Sequence, residues 1–313
     1  MSLRILLTGA TGQVGWELRR SLAPLGEILA PTRERLDLSR PETLGAAIDA
    51  IAPDLVVNPA AYTAVDRAET EVDAAMTVNR DAPAAIAAAC RRRGIGLVHF
   101  STDYVHPGDG DAPWTEDGRT GPLNVYGRSK LEGEEAIRAS GCDALVFRTS
   151  WVYAARGGNF LLTMLRLGAS GKPLSIVADQ WGAPTPARLI ASTVAIALAK
   201  SLEKGRVSHF GQTRMRLTTR GTFNLCAGGT TTWHGFATEI FRLREAMTGE
   251  PAPAITPTDS AAFKTAATRP ANSRLSLERL RDTFGIVMPD WSVGLQTTMQ
   301  DGPNPLATYL STR

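Results

Sequence analysis

Gly9-Ala-Thr-Gly12-Gln-Val-Gly15 lies between the apolar run Arg4-Ile-Leu-Leu-Thr8 and a helical pattern beginning near Val14, and its reading decides the fold of this chain. A tight turn after a strand needs torsions that glycine alone adopts cheaply, and a phosphate nears the backbone only where no β-carbon intervenes. The helix that follows aims unpaired N–H groups and its positive dipole end at the same point. The stretch therefore reads as the first strand-turn-helix of a doubly wound sheet, with Gly9, Gly12, Gln13, Val14 and Gly15 as dinucleotide-binding residues. Glycine-rich turns also end strands that bind nothing; the place of this one, ahead of every other strand signal, favours the ligand-binding reading.

Outward from the turn, short apolar runs alternate with amphipathic stretches. Strands are predicted at 4–8, 27–30, 54–58, 97–101 and 144–149, and helices at 14–23, 41–51, 79–93 and 125–139. Such alternation argues for a parallel sheet covered on both faces. Beyond residue 150 the regularity lapses and Pro and Gly clusters appear, as in Gly182-Ala-Pro-Thr-Pro186 and Gly249-Glu-Pro-Ala-Pro253. The expected architecture is α/β: a doubly wound parallel sheet (Rossmann) with a smaller C-terminal α/β substrate domain. The dinucleotide domain would span 1–150 and be completed by about 188–227, leaving 151–187 and 228–313 to the substrate domain. The basic stretch 206–220 reads as a surface loop.

Composition narrows the class. A chain of 313 residues with 43% hydrophobic content can bury a sizeable core, and its net charge of +3 is scattered, so no nucleic-acid partner is expected. Neither an apolar run of about 18 residues nor a charged-then-apolar leader occurs, so no membrane partner is expected and the cytoplasm is the expected location. Three cysteines without paired spacing and four dispersed histidines give no disulfide framework and no expected metal site.

In open α/β sheets, ligands bind beyond the carboxyl ends of the strands. Thr102 stands at such an end, after Leu97-Val-His-Phe-Ser101, while Tyr126 and Lys130 are four apart at the start of the next predicted helix and share a face. The three can converge on one carbonyl. A free tyrosine titrates near pH 10; a neighbouring ammonium favours the phenolate and is expected to lower that value. Tyr126 is then the general acid, Lys130 its partner and the holder of the nicotinamide ribose, and Thr102 the hydroxyl that steadies the carbonyl oxygen. A tyrosine and lysine four apart are more often a packed ring beside a solvated cation. The glycine turn and the strand ending in Ser101-Thr102 make the catalytic reading the stronger one here.

Thr102-Asp-Tyr-Val105, Pro122-Leu-Asn-Val-Tyr-Gly127, Arg148-Thr-Ser-Trp-Val-Tyr153, Asp179-Gln-Trp-Gly-Ala-Pro-Thr185, Gly228-Gly-Thr-Thr-Thr-Trp233 and Arg269-Pro-Ala-Asn-Ser-Arg-Leu275 together resemble the dTDP-4-dehydrorhamnose reductase family, within the extended short-chain dehydrogenases/reductases. The resemblance covers nearly the whole chain, and the last four stretches are its more specific part. It implies reduction of the C4 ketone of dTDP-4-dehydro-L-rhamnose to dTDP-L-rhamnose, the last step of that nucleotide-sugar pathway. It also implies Thr102 and Asp103 as sugar contacts, Trp151 as a ring against the sugar, Asp37 and Leu38 on the adenine side, Ala61, Tyr62 and Thr63 as the loop under the cofactor, and Phe100 as a further cofactor contact. For Trp151 the alternative is a core aromatic at a domain junction; for Asp37 it is a helix cap ahead of Pro41. His106 stands where the family has phenylalanine and reads as a packing substitute.

The predicted second strand is followed by Ala30-Pro-Thr-Arg33, and an arginine there suits the 2′-phosphate of NADPH, although Glu34 and Asp37 lie close by. NADPH is the expected cofactor, with some use of NADH. Three rivals stand beside the reductase: a nucleotide-sugar epimerase, a 4,6-dehydratase, and a dinucleotide-binding regulatory subunit. Thr102-Asp103-Tyr104 lacks the Asp-Glu pair that dehydratases place after the threonine, and a binding subunit has no chemical need for Tyr126 and Lys130. The partner expected is a small nucleotide sugar; the oligomeric state stays open, with a homodimer as the assembly to test.

Overall fold

The computed structural model describes residues 3–207 and 213–300. Its first half runs β1 (Leu3–Leu7), α1 (Gln13–Ser21), β2 (Gly26–Leu29), α2 (Pro41–Ile51), β3 (Leu55–Asn58), α3 (Val65–Ala68), α4 (Val72–Met76), α5 (Ala82–Arg93), β4 (Gly96–Thr102), α6 (Val125–Ser140) and β5 (Ala144–Thr149). A single π-helical turn, Thr77–Asp81, joins α4 to α5. There follow β6 (Val152–Tyr153), α7 (Phe160–Gly168), β7 (Leu174–Val177), β8 (Trp181–Gly182), β9 (Thr185–Pro186), α8 (Ala187–Ser201), β10 (Leu202–Val207), β11 (Thr213–Leu217), β12 (Gly221–Asn224), β13 (Thr231–Thr232), α9 (Trp233–Thr248), β14 (Ile255–Thr258), α10 (Glu278–Phe284) and α11 (Trp291–Gln300).

Six parallel strands form the central sheet in the order β12-β5-β4-β3-β1-β2. The period-two alternation of each strand sorts its side chains onto two faces. Ile5, Leu7, Val57, Val98, Phe100, Leu145 and Phe147 face a core completed by α1, α8 and α10. Leu6, Val56, Leu97 and Val146 face the opposite core, built with α2, α5 and α6. Both faces are apolar because both are covered, as parallel sheets require. Late segments return to this sheet: β12 pairs with β5, and Ile190 and Val194 of α8 and Leu280 and Phe284 of α10 enter its first core.

A second core lies under α7, α9 and α11, where Phe160, Trp233, Phe236 and Trp291 pack with Leu161, Leu165 and Ile240. The stretch 206–220, expected as a loop, is largely strand in its described part: β10 and β11 pair antiparallel, Leu202 opposite Leu217 and Val207 opposite Thr213. Thr213-Arg-Met-Arg-Leu217 carries the polar-apolar alternation of a strand, which its density of basic residues obscures.

Candidate active site

Strand order reverses at β1, whose chain neighbour β2 lies on one side and β3 on the other, so a crevice opens above their carboxyl ends. The glycine turn stands in it. Gly9 has φ +54°, and a β-carbon on Gly15 would sit 2.1 Å from the Gly9 carbonyl oxygen. Helix α1 begins at Gly12 with no side-chain cap and no acidic residue in its first turn. Its free N–H groups face the crevice, and the donor set fits a dinucleotide pyrophosphate. Val14 packs against the first core, and the Gln13 side chain accepts a hydrogen bond from Asn159 Nδ2 (2.9 Å) at the start of α7.

Past β2, Arg33 is exposed and its Nε donates to Asp37 Oδ1 (3.2 Å), which also accepts from the Ser39 N–H (2.9 Å). Those bonds hold the Asp37 carboxyl below its usual range, the Ser39 N–H foremost. Asp37 thus closes a turn before α2 and anchors Arg33, and α2 is entered from Arg40 without a side-chain cap. Leu38 and Phe100 point into the two cores beside the crevice.

Ala61, Tyr62 and Thr63 follow β3 and are tied down by a residue the sequence reading did not single out. Asn79, fully buried in the π-helical turn, accepts from the Tyr62 N–H (2.8 Å) and donates to the Tyr62 carbonyl (3.0 Å) and to Ser129 Oγ on α6 (3.0 Å). Such turns recur at functional sites, and this one pins the loop to the helix that carries Tyr126 and Lys130.

Helix α6 starts at Asn124, whose Oδ1 accepts from the Gly127 N–H (2.8 Å) and whose Nδ2 donates to the Thr268 carbonyl (2.8 Å). That cap sets Tyr126 in the first turn and Lys130 one turn on. Tyr126, Thr102 and Asp103 come together: the Thr102 hydroxyl lies against the Tyr126 phenol and donates to Asp103 Oδ1 (3.1 Å). Burial pushes Tyr126 up to about 12, against the pull of Thr102 and with a smaller push from Asp103. The expected lowering by Lys130 is absent, burial outweighing it; the Lys130 Nζ lies 3.3 Å from His99 Nε2. Burial also lowers Lys130 to about 8, Glu134 opposing, and raises Asp103 to about 7 despite the hydroxyls of Ser273, Thr102 and Ser150.

Around this end of the crevice Ser101 Oγ, Asp103 Oδ2 and Thr149 Oγ1 are buried without a hydrogen bond inside the protein. Orphaned buried polar atoms at the carboxyl ends of β4 and β5 suit a polar ligand that would complete them. Trp151, just after β5, has φ +48°, a strained torsion for a tryptophan, and stacks on Trp233 with ring centroids 3.7 Å apart. The stack commits one ring face to the second core. A cavity of about 320 Å³, lined by Gly228, Gly229, Thr230 and Arg274 among others, adjoins this region through Cys226, whose thiol feels the Asp103 charge.

The C-terminal segment is drawn across by Arg269, which meets Asp66 of α3 through two contacts (2.6 and 3.1 Å), and by Asn272, whose Nδ2 donates to the Ala112 carbonyl (2.8 Å). His106 is buried, stacks flat on Trp114 and has Nδ1 2.9 Å from the Arg119 carbonyl. It packs behind the site. Arg156 lies over the Trp16 ring at 3.7 Å beside the phosphate turn, a contact that only the folded chain reveals.

The family model described as the RmlD substrate binding domain matches residues 3–303. A dTDP-4-dehydrorhamnose reductase of Burkholderia thailandensis is 47% identical over 302 residues, covering 96% of this chain and 99% of that one. Its Escherichia coli namesake is 43% identical over 304 residues, covering 96% and 98%. The solved Bacillus anthracis dTDP-4-dehydrorhamnose reductase, in complex with NADP, superimposes with a TM-score of 0.86 at 30% identity over 96% of this chain and all of the other. With matches of this extent laid over the geometry above, the chain belongs to the dTDP-4-dehydrorhamnose reductase family.

Proposed function

We propose that this chain reduces the C4 ketone of dTDP-4-dehydro-L-rhamnose to the alcohol of dTDP-L-rhamnose, using NADPH. The observation that carries the reading is the convergence of the part-buried Tyr126 with the buried Thr102 and Asp103 at the carboxyl end of β4, with Lys130 one helical turn behind. Gly12 to Gly15 at the head of α1 hold the pyrophosphate, Arg33 the 2′-phosphate, and Lys130 the nicotinamide ribose. The dinucleotide-binding unit comprises the described residues up to about 150, about 188–227 and helix α10; 151–187 and the remaining described residues from 228 on hold the sugar nucleotide, with Arg274 on its diphosphate side.

Bound NADPH supplies a hydride to the C4 carbon. Tyr126, kept as the neutral phenol at pH 7 by its raised pKa, gives its proton to the C4 oxygen as negative charge gathers there. The Thr102 hydroxyl has one proton to donate, and it goes to Asp103 in the resting site. Protonation of Asp103, which titrates at about 7, reverses that bond and frees Thr102 to donate to the C4 oxygen. The Lys130 ammonium then steadies the phenolate.

The test is NADPH oxidation by the purified protein, with the ketosugar generated in place from dTDP-glucose. Tyr126→Phe should lose on the order of 10²–10⁴ in kcat, the usual range for a general acid, while still binding NADPH. Turnover undiminished in that variant rejects the assigned acid. Cofactor binding without any oxidation by the intact protein points instead to a regulatory subunit.

A further inference from the structure

Strand alternation and register together set Thr8, Asn58 and His99 in a row. Leu6, Val56 and Leu97 face the α6 side of the sheet, so the residues two further on do so as well. Asn58 lies directly opposite His99 in the β3–β4 pairing. The row is continuous at the level of atoms: Thr8 Oγ1 donates to Asn58 Oδ1 (2.6 Å), Asn58 Nδ2 lies 3.2 Å from His99 Nδ1, and His99 Nε2 lies 3.3 Å from Lys130 Nζ. All four residues are 2% exposed or less. Polar side chains buried at the carboxyl ends of β1 and β3 and within β4 are costly unless they hold something.

We propose that His99 is a positioning residue for the catalytic pair, its Nε2 accepting a hydrogen bond from the Lys130 ammonium and fixing that group below Tyr126. This rests on the reductase reading above. An ammonium only donates, so Nε2 must accept and the ring proton must sit on Nδ1. Asn58 then turns its amide oxygen to Nδ1–H, and its Nδ2 donates to Thr8 Oγ1; the same distances serve this arrangement and its reverse. The reverse, with Asn58 donating to Nδ1 and the ring proton on Nε2, suits only a neutral lysine amine. The ring and the amide thus have one arrangement for each protonation state of Lys130. The charged group that bears on Lys130 besides the ring is Glu134, one turn on along α6, itself paired with Arg148 of β5; Asp103 and Thr102 bear on Tyr126.

Two substitutions separate the ring's two nitrogens. Gln in place of His99 puts an amide oxygen near the position of Nε2 and keeps an acceptor for Lys130. Asn reaches only as far as Nδ1, so it keeps the bond to Asn58 and loses the one to Lys130. The chain has five lysines, so [¹³Cε]lysine NMR follows Lys130 directly, and it does so in the protein without cofactor. Loss of one hydrogen bond to a buried cation should lower the Lys130 pKa by about one unit in His99→Asn relative to both wild type and His99→Gln. The alkaline limb of kcat should move by the same amount in the same direction, so that kcat for Asn is down about 2-fold at pH 7 and about 10-fold well above pH 8, while Gln keeps the wild-type profile. Identical Lys130 titrations in the two variants overturn the proposal, even if both are less stable than wild type. A shifted Lys130 titration in protein that never oxidises NADPH would leave the His99 contact standing and remove the reductase reading instead.

Discussion

The two ends of the cofactor crevice are built on opposite electrostatic terms. At the mouth of β2, Arg33 and Asp37 sit near water and meet across four residues. Behind β4 and β5, Arg148 and Glu134 pair at 2.7 and 2.9 Å with side chains 3% and 1% exposed, and Lys130, His99 and Asp103 are buried beside them. Exposed charge recognises a ligand weakly and is screened; buried charge fixes protonation states and is costly to disturb. Recognition of the cofactor's far end is therefore tunable, whereas the chemistry rests on groups that cannot be moved singly.

The sharpest way to break the contrast is Arg148→Met. Glu134 would be left buried without its guanidinium partner, and the Arg148 hydrogen bond to the Glu116 carbonyl (3.0 Å) would go with it. Removing one partner of a buried pair costs roughly 3–5 kcal/mol, so the urea midpoint should fall steeply at unchanged m-value. Adding Glu134→Leu should recover part of the loss, because the orphaned charge is then gone. A loss below about 1 kcal/mol in the single variant would mean that the pair is hydrated in solution and that the two ends of the crevice are alike.

At the exposed end, Arg33→Ala should leave the fold intact and lower the NADPH-to-NADH ratio of kcat/KM by about 10-fold, the scale of one charge-assisted bond to phosphate. The loss should shrink as salt is raised from 0.05 to 0.5 M, roughly a threefold shortening of the Debye length. An unchanged ratio would take Arg33 out of cofactor selection. An effect indifferent to salt would show that the bound 2′-phosphate is shielded from solvent after all.

The same contrast explains what the sequence could and could not disclose. Gly9 to Gly15, Thr102, Tyr126 and Lys130 are legible because backbone torsion, strand ends and helical spacing are local properties. Their states are not. Tyr126 is pushed up rather than down because the fold buries it, and Lys130 meets His99, a residue 31 positions earlier that reads as one polar break in an apolar strand. Arg269 finds Asp66 across 203 residues, and Asn79 finds Tyr62 through a π-helical turn that no periodicity signals. In the paired strands β10 and β11 the failure is of another kind: basic residues read as loop polarity, where the alternation beneath them is that of strand.

The mildest test is pH, and from pH 6 to 4.5 it acts chiefly on the buried end. Burial holds His99 well below its usual value, and His106 is lowered as well, mainly by burial with a further push from Arg148. Both are shifted toward the neutral form in the fold and titrate near 6.5 when unfolded, so the unfolded chain binds more protons below that pH and stability is lost as pH falls through it. Each can contribute a slope of up to about 1.4 kcal/mol per pH unit. Asp103 acts the other way: raised to about 7, it holds a proton in the fold that the unfolded chain releases above about 4, so its contribution is present at low pH and lost as pH rises through 7. Two histidines against one carboxyl leave a net fall of at most about 1.4 kcal/mol per unit on acidification from pH 6 to 4.5, read by urea unfolding at each pH. His106→Phe removes one histidine and should flatten the profile toward zero, while Asp103→Asn removes the opposing group and should steepen it. If His106→Phe keeps the wild-type slope, the His106 ring is protonated in the fold, and the buried end admits a charge that its packing on Trp114 and its neighbour Arg148 should exclude.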